Sequence, residues 1–119
     1  MAQSKKIVSS HFPYIPIEIT FKHNKQTSEA LLDTGFDGYV VLPAGLVTNG
    51  EAPDLYESCQ LADDSVIRVP VFIGSVKIAG KRFNKVTFII MGDESIIGRE
   101  IMKHFKITLD HGLKVILEE

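Results

Sequence analysis

The sequence predicts an all-β domain, a small closed or nearly closed barrel, and three observations lead to this prediction. Apolar and polar residues alternate with a period of two along most of the chain, which is typical of strands with one buried face. Turn-forming residues such as Gly, Asn and Asp separate the alternating runs at short intervals. Only one late segment of any length has helical spacing, so we expect many short strands and one short C-terminal helix.

The length and composition indicate one globular domain. The chain has 119 residues, of which 45% are hydrophobic and 24% are charged, and such a chain can bury a core without disulfides or metals. No linker, internal repeat or low-complexity stretch divides it. We therefore expect a single domain over residues 1–119, in which residues 1–12 form a loosely ordered N-terminal segment.

The alternating runs define the predicted strands in chain order. Their apolar faces consist of Ile15, Ile17, Ile19 and Phe21; Ile67, Val69, Val71 and Ile73; Val86, Phe88 and Ile90; Ile107 and Leu109; and Leu113, Val115 and Leu117. Turns are predicted at residues 23–24, 62–65, 79–81, 91–93 and 110–112. The last run, residues 113–118, fits a strand shared with a second copy of the chain and an intrachain hairpin equally well.

Two segments have helical character. Pro43 can begin a single helical turn, because its fixed φ suits the first helical position. Residues 98–105 place Ile101, Met102 and Phe105 at helical spacing, which predicts the late helix.

Charge and cysteine content exclude several classes of function. The net charge is −2 and the basic residues are scattered, so nucleic acid is not the expected partner. Cys59 has no partner for a disulfide, and no apolar run is long enough for a signal peptide or a membrane span. These observations predict a soluble, cytoplasmic protein. The histidines lack metal-ligand spacing, and the acidic pairs Asp63-Asp64 and Asp93-Glu94 are interpreted as ordinary turn residues.

The strongest functional signal is Asp33-Thr34-Gly35, which follows the apolar residues Leu31 and Leu32. Such a triplet alone is most often only a turn. Here it joins two predicted buried strands, and the segment Ile96-Ile97-Gly98-Arg99 follows later at the start of the predicted helix. A carboxylate at the end of a buried strand can hold a water molecule against a substrate.

Together these motifs, their order and the strand pattern of residues 15–117 resemble the retropepsin-like, retroviral-type single-domain aspartic proteases. The resemblance implies the acid-protease barrel and an aspartic endopeptidase that hydrolyses peptides or unfolded proteins. Because the chain has one Asp-Thr-Gly and this chemistry needs two carboxylates, it also implies an obligate homodimer. No cofactor and no metal are implied.

The resemblance assigns a role to each matching residue. Asp33 corresponds to the catalytic aspartate. Thr34 and Gly35 correspond to the active-site turn and to the contact that locks the two loops of the dimer. Asp37 and Arg99 correspond to an ion pair that braces the turn, so both are expected to be scaffold residues.

The cleft and its lid are also predicted from the resemblance. Residues 58–69 are the candidate for the β-hairpin flap, although its tip lacks the glycines of the retroviral flap. Phe36 takes the place of a small Ala in the retroviral enzymes. We expect the ring to pack in the core, slightly in preference to a contact with substrate. The candidate cleft and flap residues are Phe36, Ala62, Asp63, Asp64, Ile97 and Gly98.

In the implied mechanism, two Asp33 carboxyl groups share one proton and activate a water molecule that attacks the peptide carbonyl. Two alternatives stay open. One is a catalytically silent peptide-binding or dimerisation module on the same fold, for which the atypical flap and Phe36 are the reasons. The other is a β-barrel with no active site.

Overall fold

The fold is built almost entirely from strands, as the alternation predicts. The computed structural model describes residues 5–47 and 50–119. The strands are β1 (Lys5–Ser9), β2 (Tyr14–Phe21), β3 (Asn24–Leu32), β4 (Val40–Leu42), β5 (Leu55–Gln60), β6 (Val66–Ile78), β7 (Lys81–Ile90), β8 (Ser95–Ile97), β9 (Lys106–Asp110) and β10 (Lys114–Glu118). A 3-10 turn (Ala44–Leu46) follows Pro43, as predicted, and α1 (Arg99–Met102) precedes β9.

Six strands form the closed barrel. They are hydrogen-bonded in the order β2-β3-β8-β4-β7-β6, and pairing of β2 with β6 closes the ring. β5 extends this sheet beyond β6 as one arm of a hairpin. A separate three-stranded sheet has the order β1-β10-β9. The predicted closed barrel is therefore confirmed in its all-β architecture.

At β2 the barrel core comes from the strand face that the alternation predicts, whereas Leu109 and Leu113 of the later predicted faces are 52% and 69% exposed. Ile15, Ile17, Ile19 and Phe21 of β2 are all buried. The Phe21 ring packs against Phe72 of β6, with the two ring centroids 4.8 Å apart. Tilted rings at such distances stabilise a core beyond the burial of their area.

The pattern of buried residues in β6 differs from the predicted alternation, because one part of the strand lies outside the barrel and the other part lies in its wall. Its first part pairs with β5 outside the barrel, and Ile67 is 38% exposed there. Farther along, Val71 and Phe72 are both buried, whereas Ile73 is 44% exposed. The pairing with β7 shifts register after Gly74, where an added Cβ would collide with the carbonyl oxygen of Thr20 in β2. Strict alternation therefore fails where the strand bends to close the barrel.

The helix predicted over residues 98–105 is not formed at that length. α1 spans only Arg99–Met102, and beyond Lys103 the amides of His104 and Phe105 bond to carbonyls three residues back. Phe105 packs on Phe83 of β7, with ring centroids 5.9 Å apart, so the chain turns toward the sheet instead of continuing the helix. No helix in residues 5–47 and 50–119 has the length and apolar character needed to cross a bilayer.

Both ends of the described chain lie in the three-stranded sheet. Residues 5–9 form β1 and pair antiparallel with β10, where the sequence predicted a loosely ordered segment. Residues 1–4 of that predicted segment lie outside the described residues. β10 also pairs with β9, so residues 114–118 form an intrachain hairpin within this single chain. Val115 and Leu117 join the same buried cluster as the barrel residues.

Candidate active site

Asp33 lies on a tight turn directly after β3, and its own backbone atoms anchor that turn. Its N–H donates to the carbonyl oxygen of Ile97 at 3.1 Å, and its carbonyl accepts from the N–H of Phe36 at 3.2 Å. Its side-chain oxygen Oδ1 accepts a hydrogen bond from the N–H of Gly35 at 2.9 Å. The half-buried carboxyl group is thus held in one orientation by the turn that presents it.

Strand β8 supports both ends of this turn. β3 pairs with β8 in parallel, with Leu32 opposite Ile97, and β4 pairs with β8 antiparallel, with Val40 opposite the same residue. The N–H of Gly98 then donates to the carbonyl oxygen of Tyr39 at 2.9 Å. The predicted catalytic turn and the Ile-Ile-Gly-Arg segment are therefore adjacent in space.

The predicted ion pair between Asp37 and Arg99 is not formed among the described residues of this chain. Both residues are exposed. Main-chain hydrogen bonds make the connection instead: the N–H of Arg99 donates to the carbonyl oxygen of Phe36 at 2.8 Å, and that of Glu100 donates to Gly38 at 3.1 Å. The brace around the turn is built from backbone groups, which residue identities reveal poorly.

Phe36 packs over two glycines. A Cβ added at Gly98 would lie 2.5 Å from Cδ2 of Phe36, and one added at Gly38 would lie 2.6 Å from Cζ of the same ring. Because neither glycine has a side chain, the Phe36 ring can occupy the space above both of them. Phe36 also lines the neighbouring cavity, and it is half-buried and lies outside the main buried cluster, so it packs on the turn and forms part of the cavity wall.

A cavity of about 400 Å³ lies beside Asp33, within the size range of small-ligand pockets. Its lining residues are Asp33, Phe36, Val41, Cys59, Gln60, Ile89, Met91, Gly92, Asp93, Glu94 and Ile96. They come from the turn at Asp33, β4, the hairpin arm β5, the end of β7, the loop before β8 and β8 itself. Among the described residues, no group of three His, Cys, Asp or Glu side chains is arranged to hold a metal ion.

The residues predicted to form the flap lie in a β-hairpin, in which residues 61–65 connect β5 to β6. At its tip the N–H of Leu61 donates to the carbonyl oxygen of Ser65 at 2.8 Å. The hydroxyl and the N–H of Ser65 both donate to Asp63, and these hydrogen bonds lower the pKa of the Asp63 carboxyl. Ala62, Asp63 and Asp64 are exposed and do not line the cavity in this single chain.

The remaining predicted site residues, two of the turn and one of the cleft, lie in different environments. Thr34 and Gly35 are exposed next to Asp33. Ile97 is fully buried in the core, whereas Ile96 faces the cavity, because neighbouring strand residues point to opposite faces.

Sequence reasoning missed the acidic loop that borders the cavity, since it treated Asp93 and Glu94 as turn residues. The Tyr14 hydroxyl donates to Oε1 of Glu94 at 2.8 Å, and this hydrogen bond raises the pKa of Tyr14. A usable signal existed, because the two acids directly precede Ser95 and Ile96, which pair with the strand that leads to Asp33.

Comparison with solved structures gives two informative matches. A retropepsin-like aspartic protease from Rickettsia conorii matches with a TM-score of 0.60 and 17% identity, over 99% of this chain and 94% of that one. The fold is that of the retropepsin-like aspartic proteases. The foamy viral protease–reverse transcriptase, in complex with an RNA/DNA hybrid, matches with a TM-score of 0.53 and 17% identity, over 79% of this chain and 12% of that one. No protein-family model matches the sequence, and no curated protein matches it.

Proposed function

We propose that this chain is one half of a homodimeric aspartic endopeptidase that cleaves peptides or unfolded proteins. One observation carries the proposal: the Asp33 carboxyl, fixed on a turn bonded to β8, borders a cavity of about 400 Å³ whose wall includes the β5 residues Cys59 and Gln60. A carboxyl group at the base of a cleft under a hairpin is the arrangement needed to activate water against an extended peptide. The retropepsin fold supports the same proposal.

The need for a second chain follows from the chemistry. Each chain supplies one Asp33, and general acid–base hydrolysis of a peptide bond by this route needs two carboxyl groups that act together. Thr34 and Gly35 are exposed in the single chain, on the turn that a second copy would have to approach. An isologous dimer would then place the two Asp33 side chains across a two-fold axis.

In the proposed reaction, the two Asp33 carboxyl groups share one proton, because two like charges at close range cannot both be ionised. The ionised carboxylate takes a proton from water as its oxygen attacks the peptide carbonyl. The protonated carboxyl donates to the carbonyl oxygen, which gives a gem-diol. Transfer of a proton to the nitrogen then breaks the C–N bond and releases an acid and an amine.

Replacement of Asp33 by Asn tests this assignment. We expect Asp33→Asn to reduce peptide cleavage by about 10³-fold or more, since acid–base groups contribute about 10²- to 10⁴-fold each. Circular dichroism and sedimentation should show that the variant still folds and associates. Glu18→Gln is the control, because it removes an exposed carboxylate of β2 that does not line the cavity. Unchanged cleavage by Asp33→Asn would show that Asp33 is not catalytic.

A second candidate function is a peptide-binding or dimerisation module without catalysis. It is supported by the Phe36 ring, which occupies part of the wall beside Asp33. A cleavage screen across pH, run beside a peptide-binding assay, separates the two functions, because binding without turnover at every pH would favour the module. A cytoplasmic location stays a prediction from the sequence.

A further inference from the structure

The cavity beside Asp33 combines an apolar wall with an unbalanced negative charge. Val41, Ile89, Met91 and Ile96 supply apolar surface, so one part of the cavity suits an apolar side chain. Three carboxyl groups border the same space, those of Asp33, Asp93 and Glu94, and no Lys, Arg or His is among the lining residues that the structure describes.

The two acids of the loop before β8 differ in how they are held. Glu94 is half-buried, and its Oε1 accepts the hydrogen bond from Tyr14, which orients the carboxylate at the cavity. Asp93 is exposed and makes no ion pair or hydrogen bond within residues 5–47 and 50–119. Charges of one sign that line a cleft concentrate ligands of the opposite sign there.

We propose that the cleft selects peptides in which an apolar residue near the cleaved bond is accompanied by Lys or Arg two positions away. The spacing follows from the extended form of a bound peptide, in which residues i and i+2 face the same wall. The apolar side chain enters the region of Ile89 and Ile96, and the basic side chain reaches Asp93 and Glu94. This inference rests on the proposed function, since it names the substrate class of the same cleft.

The test measures binding separately from cleavage. The Asp33→Asn protein is titrated at pH 7 with labelled peptides that are identical except for one residue, which is Lys, Gln or Glu two positions from a Phe. Fluorescence anisotropy should show that the Lys peptide binds about fivefold more tightly than the Gln peptide, as partly exposed ion pairs of about 1 kcal/mol give. The Glu peptide should bind most weakly, and added salt should reduce all the differences.

Variants locate the source of the preference. Asp93→Asn with Glu94→Gln, added to Asp33→Asn, should remove the discrimination between Lys and Gln. Glu18→Gln with Glu119→Gln is the matched control, because it removes the same number of charges from exposed positions that do not line the cavity and should leave the discrimination intact. Equal binding of the three peptides, no detectable binding of any of them, or discrimination that survives loss of Asp93 and Glu94 would overturn the inference. Cleavage of these peptides by the wild-type protein tests the proposed function independently.

Discussion

Gly98 lies where the Ile-Ile-Gly-Arg segment meets the turn that carries Asp33, and there is no space for a side chain. A Cβ at this position would collide with the carbonyl oxygen of Gly38 and with the ring of Phe36. The first of these neighbours is backbone and the second is a ring packed on glycine, so neither can move without shifting the turn that carries Asp33. The identity of residue 98 is thus determined by the packing of its neighbours.

Replacement of Gly98 by Ala should therefore destabilise the protein. Forcing a methyl group into packed space costs about 1–3 kcal/mol, and the Gly38 carbonyl cannot relax as a flexible side chain would. Urea denaturation followed by circular dichroism should show a lower free energy of unfolding for Gly98→Ala. Gly45→Ala is the control, since nothing lies within 4 Å of a Cβ there. Equal midpoints for the two variants would show that the turn accommodates the methyl group.

At the scale of elements, Asp54 anchors the β5–β6 hairpin to the barrel. Its Oδ1 accepts a hydrogen bond from Lys22 at 2.9 Å, and its Oδ2 accepts one from the N–H of Ile73 at 2.8 Å. Its own N–H donates to the carbonyl oxygen of Val71 at 2.9 Å. The hydrogen bond from Lys22, followed by that from Ile73, lowers the pKa of the Asp54 carboxyl below 3.8.

This lowered pKa makes the contribution of Asp54 dependent on pH. A carboxyl whose pKa falls on folding stabilises the native state above its unfolded pKa, and this stabilisation is lost as the pH falls through the folded pKa. Asp54→Ala should cost about 1 kcal/mol at pH 7, and the gap from wild type should close below pH 3.8. Urea unfolding over a range of pH measures the gap. Glu57→Ala, at an exposed position of β5, should change little, and a gap that is constant with pH would contradict the role of the ionised carboxylate.

At the scale of the whole molecule, the closed barrel is complete within one chain, whereas the proposed active centre is not. The six barrel strands and the cluster that includes Val115 and Leu117 provide one core. Asp33 occurs on one turn of each chain, so activity requires association if both carboxyl groups are needed. We thus expect that one chain is enough to form the barrel, whereas catalysis needs two associated chains.

Mixed dimers test this difference. Wild-type protein refolded with an equal amount of Asp33→Asn should retain about half of its activity. The mixture contains twice as many dimers as the wild-type protein alone, and about a quarter of them contain two intact chains. Refolding with an equal amount of Glu18→Gln should cause no such loss. If each chain works alone, added Asp33→Asn protein will leave the wild-type activity unchanged.

The alternation of apolar and polar residues predicted the strands that have the same buried and exposed faces along their whole length. β2 is buried on one face along its whole length, so its alternation was sufficient. The turn at Asp33 was predicted because its Asp-Thr-Gly triplet lies between two apolar runs and the Ile-Ile-Gly-Arg segment follows later in the chain. β6 was predicted less well because it leaves the hairpin for the barrel within one strand.

Features that depend on distant contacts were not predictable from local patterns. β1 is ordered by pairing with β10 at the other end of the chain, for which a few residues near the N-terminus give no signal. The helix after Gly98 is shorter than its spacing predicts, and Phe105, at the predicted helix end, packs on Phe83 of the distant strand β7. The Asp37–Arg99 ion pair was expected from the family resemblance, whereas backbone groups make the contact in this chain.

The attachment of both ends of the Asp33 turn to β8 has a consequence for protein engineering. Leu32 and Val40 flank the turn, and each is paired with Ile97, a residue more than fifty positions later in the chain. Grafting residues 33–38 alone onto another scaffold would leave the loop without the neighbour that sets its shape. The smallest transferable unit is therefore two separate stretches of sequence, the turn with its flanking strands β3 and β4 and the distant strand β8. Any redesign that shifts the short strand between residues 95 and 97 will also re-aim the carboxyl group.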